Sequence, residues 1–172
     1  YHWHYRRFIA ERFPKGTGFP ELPEPAAFGD LPLADVQAVS IDDASTTEID
    51  DALSVIRLPG IGWRFGIHIA APGLGILPGS AHDAVARARL STVYMPGHKI
   101  TMLPDDLVGR FTLAAGTPCP ALSLYVTTDD QFEILNHESR VERVPIAANL
   151  RLHEIEPHMD AESLNRGEVP PC

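Results

Sequence analysis

The sequence predicts a mixed α/β domain, a largely antiparallel sheet with helices packed on it. Three observations point there. Short stretches alternate apolar and polar residues with a period of two, turn residues separate them, and segments with helical spacing lie before and between them. The chain has 172 residues, 44% hydrophobic and 22% charged, which suits one domain of ordinary size or a piece of a larger one.

Residues 1–13 have helical spacing, with Trp3, Phe8, Ile9 and Phe13 on a broad apolar face and Arg6, Arg7 and Arg12 outside it. Pro14 ends that helix. Pro14, Pro20, Pro23, Pro25 and Pro32 then mark an extended connector to residue 35. The stretch "VQAVSI" reads as a strand running into "DDASTTEIDD", and "ALSVIRL" as a second strand leaving it. "PGIG" supplies turn chemistry before "WRFGIHIA", where Trp63, Phe65, Ile67 and Ile69 alternate and predict a hairpin with that face buried. "GSAHDAVARARL" reads as a helix with Ser80 as N-cap and Asp83 in its first turn. A short strand "STVY" follows, and then "MPGHKITMLPDDL", which reads as loop and turn. "ALSLYVTTDDQFEILNHESRVERVPI" reads as another hairpin turning at "TDDQ", and the tail beyond about residue 158 is polar. The predicted organisation is a helix and connector over 1–35, a main domain over 36–158 and a polar tail over 159–172.

No apolar run approaches the roughly 18 residues that cross a bilayer, and the start lacks the apolar core of a signal peptide. The sequence does not open on Met, which reads as a chain processed, trimmed or cut from something longer. The two cysteines, Cys119 and Cys172, are far apart and have no metal-type spacing. Reduced thiols in a cytoplasmic protein with no membrane partner are the expectation. His2 and His4 form an H-x-H pair, but no second cluster completes a tetrahedral zinc set.

The densest chemistry lies at residues 42–51, where Asp42, Asp43, Glu48, Asp50 and Asp51 occur without one Lys or Arg. Strand, acidic loop, strand can hold several carboxylates near one point. If the loop is extended, Glu48 and Asp50 point one way and Asp51 the other. Unpaired, such a cluster repels itself, and a divalent cation relieves the conflict. Mg²⁺ prefers oxygen ligands and is typically held by one or two carboxylates plus substrate phosphates. Three readings fit the residues: a catalytic metal site for phosphoryl hydrolysis, a structural cation site, or a solvated acidic loop. The net charge of −9 argues against a polyanionic partner. Setting aside the five clustered acids leaves 14 basic against 18 acidic residues, or −4, so a phosphate-binding surface must be local, metal-assisted or supplied by other parts of the chain.

The cluster does not stand alone. "SIDDASTTEIDDALSV", "GIHIAAPGLGILPGSAHDAVARARLSTVYMPG" and "ITMLPDDL" follow in an order and spacing that resemble the ribonuclease II (RNB) family of exoribonucleases, over about residues 36–155. The resemblance reaches the front part of that family's catalytic domain. It implies hydrolytic 3′-to-5′ degradation of single-stranded RNA, releasing nucleoside 5′-monophosphates with Mg²⁺, or Mn²⁺ in its place. Carried onto this chain, it implies that Asp42, Glu48 and Asp51 hold metal and that Asp50 acts at the chemical step by orienting water. It places Tyr94 on the terminal nucleotides, where an aromatic face stacks on any base, and matches Arg89 to a family arginine that contacts phosphate or braces the acid loop. His68 is implied to be a structural side chain of the sheet.

The sequence departs from the family pattern in four ways. Position 48 is Glu where Asp is commoner, and position 71 is Ala where the family has Asp. The later family motif with serine, proline and paired arginines has no match, nor do the oligonucleotide-binding modules that flank the domain. Loss of one preorganised cationic donor costs about 10²- to 10³-fold in rate, so these residues alone are expected to hydrolyse RNA poorly and to need the remainder of a nuclease chain. A catalytically silent RNB-like module that binds RNA or a protein is the rival. An unrelated phosphohydrolase with an acidic metal site is the third possibility.

Overall fold

The computed structural model describes residues 2–95, 97–159 and 161–167. The chain divides into two compact units, Tyr1–Phe28 with Gly73–Val108, and Gly29–Pro72 with Gly109–Cys172. Cys172 and much of the polar tail lie outside the described residues. Among the described residues no helix is long and apolar enough to cross a membrane.

The first unit holds helix α1 (His2–Arg12), helix α2 (Ala81–Arg89) and a two-stranded antiparallel ribbon, β4 (Val93–Met95) with β5 (His98–Ile100). α1 buries no side chain. Its expected apolar face is only half-covered at Phe8 and Ile9, and Trp3 stays mostly exposed. α2 starts as the sequence predicts: Ser80 caps it by accepting the Asp83 N–H at 3.2 Å. Residues 98–100, expected to be loop, instead pair with 93–95, because Gly97 adopts a positive φ of 72° and reverses the chain between them. Helix α3 (Asp105–Phe111) then carries the chain into the second unit.

The second unit is a six-stranded sheet in the order β7-β6-β3-β2-β1-β8, formed by β1 (Ala38–Asp42), β2 (Asp51–Leu58), β3 (Gly62–Ala70), β6 (Cys119–Thr128), β7 (Ile134–Val144) and β8 (Ile146–Arg151). Every strand pairing in it is antiparallel except β1 with β8, a parallel pair that no local pattern announces. The β6–β7 turn falls where expected. Asp129 closes it by accepting the Gln131 and Glu133 N–H groups on one carboxylate oxygen, each at 2.9 Å. Short helices α4 (Leu152–Ile155) and α5 (Ala161–Arg166) follow β8.

The sheet is inside out relative to its hydrophobic pattern. The buried face of β3 is Gly62, Gly66 and His68, whereas Ile67 and Ile69, expected in the core, are exposed. The same frame holds in the neighbours: Ala52 and Ser54 of β2, Ala121, Ser123 and Tyr125 of β6, and Glu142 and Val144 of β7 all point inward. Small and polar side chains therefore face the core, and Val36, Ala38, Ile49, Leu113 and Ile146 fill it around them. The polar groups are satisfied within it. His68 bridges Ser54 at 2.9 Å and Ser123 at 2.8 Å through its two ring nitrogens, and the Tyr125 hydroxyl donates to Glu142 at 2.7 Å. Gly66 is required beneath this cluster, since a Cβ there would lie 2.3 Å from Ser54 Oγ and 2.6 Å from His68 Nε2. Burial and the Glu142 carboxylate push the Tyr125 hydroxyl up to about 12, so it remains a donor.

Burial pushes the His68 imidazole below its ordinary value of 6.5, with Glu142 opposing and Arg64 reinforcing the shift. Below 6.5 the unfolded chain takes up a proton that the folded chain refuses. This contribution to stability is therefore complete above about pH 6.5 and declines as pH falls through the folded-state value. Melting curves from pH 7.5 to 5 are expected to show a decline that His68→Gln flattens. An equal slope in both proteins would remove His68 from the account.

Candidate active site

β1 and β2 run antiparallel with Val39 opposite Leu53, so the end of β1 at Asp42 and the start of β2 at Asp51 lie at the same end of the sheet. The acidic loop spans the gap between them. One apolar side chain, Ile49, is buried in it at 5% exposure. Both main-chain groups of Ile49 are engaged: its N–H donates to Thr112 Oγ1 at 2.8 Å and its C=O accepts the Leu113 N–H at 2.9 Å. The next carbonyl, of Asp50, accepts the Ala70 N–H at 2.8 Å. On the other limb, Arg151 Nη1 donates to the Asp43 carbonyl at 2.9 Å. The loop is thus fixed through its main chain, which leaves its carboxylates at the surface.

Asp42 is half-buried, and its Oδ2 accepts the Ser40 hydroxyl at 2.6 Å. Ser40 in turn accepts Asn149 Nδ2 at 3.0 Å. Glu48 is half-buried, and Asp50 and Asp51 are exposed between the buried Ile49 and Ala52. Strict alternation, which sends Glu48 and Asp50 one way and Asp51 the other, does not govern this stretch, because the strand begins only at Asp51. Asp43 is exposed and lines a cavity of ≈ 400 Å³ with Ala44, Ser45, Leu152, His153 and Glu156, outside the four motif acids.

The donor chemistry of Asp42, Glu48, Asp50 and Asp51 fits a hard divalent cation, since all four supply carboxylate oxygen. Among the described residues, however, no three His, Cys, Asp or Glu side chains converge to hold a metal ion. Among the described residues the four acids therefore form no all-protein metal cage. The same finding gives His2 and His4 no third ligand.

The other expected residues lie in the first unit. Tyr94 on β4 is 70% exposed, paired across the ribbon with Lys99, and offers its ring to solvent. Arg89 is half-buried, and among the described residues it bonds main-chain carbonyls and no carboxylate. Its guanidinium donates to the carbonyls of Thr101, Thr17 and Gly18 at 2.8–2.9 Å and lies 3.7 Å from the centre of the Phe19 ring. At position 71, the Ala71 N–H donates to the Pro120 carbonyl at 3.3 Å. Sequence reasoning missed Ser40, Thr112, Asn149 and Arg151. Only Ser40 carried a signal, a hydroxyl on the buried face of a strand two residues before Asp42.

Fold and site define an RNB-type α/β domain. The RNB domain family model matches residues 31–162, and the chain belongs to that family. It is 36% identical over 115 residues to Exoribonuclease 2 of Vibrio parahaemolyticus, covering 66% of this chain and 17% of that protein. In fold it is similar to Mycoplasma genitalium RNase R in complex with ribose-methylated single-stranded RNA, with TM-score 0.68, 21% identity, and coverage of 86% of this chain and 22% of that one. It is also similar in fold to yeast Ssd1, a pseudonuclease, with TM-score 0.72, 20% identity, and coverage of 83% of this chain and 19% of that one. The chain thus spans about a fifth of the relatives it matches.

A Lys holds its donors on one nitrogen and does not reproduce the planar fork by which Arg89 reaches three carbonyls from two. Arg89→Lys is expected to lower stability by about 2 kcal/mol, the scale of a lost hydrogen bond to a charged group, measured by urea unfolding. Unchanged stability would show that the clamp carries no load.

Proposed function

We propose that this chain is the front part of the catalytic domain of a 3′-to-5′ exoribonuclease that acts on single-stranded RNA and releases nucleoside 5′-monophosphates with Mg²⁺. The observation that carries the reading is the acidic loop itself, four motif carboxylates set on a main chain fixed at Asp43, Ile49 and Asp50 within an RNB frame. Membership beside Exoribonuclease 2 supports the reaction class. Asp42, Glu48 and Asp51 would hold the cation, which supplies charge neutralisation at the phosphodiester and activation of water. Asp50, exposed at the loop's end, orients the attacking water. Tyr94 stacks on a terminal base. Arg89 serves RNA indirectly, by holding the segment before β4 in place.

A second reading, a silent RNB-like module, is favoured by one observation: no three carboxylates converge among the described residues. Asp50→Asn with Asp51→Asn separates the two. In the enzyme reading, the double variant loses Mn²⁺ binding by calorimetry. Release of mononucleotides, measured on the chain together with its downstream sequence, then falls on the order of 10²-fold or more. A silent module would bind oligoribonucleotide equally well with and without those acids.

The rest of the nuclease chain is proposed as the partner of the outward sheet face. Leu53, Val55, Ile67, Ile69, Leu122 and Val141 are 40–56% exposed and adjoin one another by strand register. A contiguous apolar face of this kind marks an interaction surface. The 172 residues alone are expected to bind a hydrophobic dye or to self-associate in sedimentation, and Leu53→Lys with Ile67→Lys to abolish this. A monomer that binds no dye would mean the face needs no cover.

A further inference from the structure

We infer that Asn149 is a positioning residue that ties the two limbs of the acidic loop together and aims Asp42. This rests on the reading of that loop as the metal-binding site.

The amide of Asn149 has two main-chain partners whose roles cannot be exchanged. The Leu113 carbonyl, 2.9 Å from Nδ2, can only accept, and the Ala115 N–H, 2.8 Å from Oδ1, can only donate. Together they fix which end of the amide is NH₂ without reference to any side chain. Nδ2 therefore donates to its third partner, Ser40 Oγ, at 3.0 Å. The Ser40 hydroxyl, buried at 1% exposure, spends its proton on Asp42 Oδ2 at 2.6 Å. Amide, hydroxyl and carboxylate form a chain with one direction, and its end sets the rotation of the Asp42 carboxylate.

The second limb starts from the same amide. Leu113, whose carbonyl Asn149 holds, donates its own N–H to the Ile49 carbonyl at 2.9 Å. Ile49 lies between Glu48 and Asp50. One side chain on β8 thus bonds Ser40 at the β1 end and reaches the β2 end through Leu113, and the parallel register that sets Asn149 opposite Ser40 puts it there.

Asn149→Asp keeps the shape but has no donors for Leu113 or Ser40, so the Ser40 hydroxyl turns away from Asp42. Ser40→Ala cuts the first limb and leaves the second. The measurements are Mn²⁺ affinity by calorimetry and amide hydrogen exchange at Ile49 and Leu113 without metal. Asn149→Asp is expected to weaken Mn²⁺ binding at least tenfold and to speed exchange at both amides at least tenfold. Ser40→Ala is expected to weaken Mn²⁺ alone, a split that a bracing role would not produce. Should Asn149→Asp not fold, Asn149→Ser carries the same test. Unchanged exchange at Ile49, or full Mn²⁺ affinity in a folded Asn149 variant, overturns the inference. If the unaltered chain binds no Mn²⁺, the metal reading fails by itself, and exchange at Ile49 still decides whether Asn149 holds the loop.

Discussion

Like charges crowded on a short loop repel, and the main chain of the loop at residues 42–51 is anchored by the buried Ile49 and by hydrogen bonds with Thr112, Leu113, Ala70 and Arg151. Two carboxylates about 4 Å apart repel by about 1 kcal/mol in water and about 4 kcal/mol in a partly protein environment. Against this, burying Ile49 contributes about 1.5–3 kcal/mol, and each main-chain hydrogen bond about 1 kcal/mol net. The main chain of the loop keeps its shape on the frame's contacts, and among the described residues no three of its carboxylates converge.

The frame that supplies those contacts is unusual in what it buries. An inward face of Ala, Ser, Gly and His leaves space for Leu113 and the segment beside it to come close to the sheet, and that segment is what grips Ile49. A face of Ile and Leu turned inward would hold that segment farther off. The polar cluster of Ser54, His68 and Ser123 begins one residue pair from Asp51, since Ala52 lies opposite His68. Core and site are therefore parts of one arrangement. The cost is an aliphatic outer face that no described part of this unit covers.

Sequence reasoning found what is local. Ser80 caps α2, Asp129 closes the β6–β7 turn, and the acidic loop joins two strands, each legible because partners lie within a few residues. It failed where partners are remote. The alternation of β3 showed the period of two but not which frame faces in, because Ile67 and Ile69 are the usual core choice and only the rest of the sheet reverses it. β8 carries "IAANLR", with no alternation to mark it, and its pairing with β1 spans more than a hundred residues. Asn149 was invisible for the same reason. Arg89 was noticed as chemistry, but its carbonyl partners at Thr17 and Gly18 lie some seventy positions away.

That remoteness has a consequence for how the site comes into being. Asp42, Glu48, Asp50 and Asp51 lie within ten consecutive positions, yet the groups that fix their loop come from Ala70, Thr112, Leu113, Asn149 and Arg151. Two of these are on β8, the last strand of the sheet to leave the chain and the one that adds in parallel beside β1. Non-local pairings of this kind form late, since loop closure must precede any gain from contact. The motif acids lie close together in sequence, while β8, which carries two of the anchors of their loop, pairs with β1 across more than a hundred residues. Possession of the motif and possession of the site are separate properties, and a chain in this family can keep the first while losing the second through changes a hundred residues away.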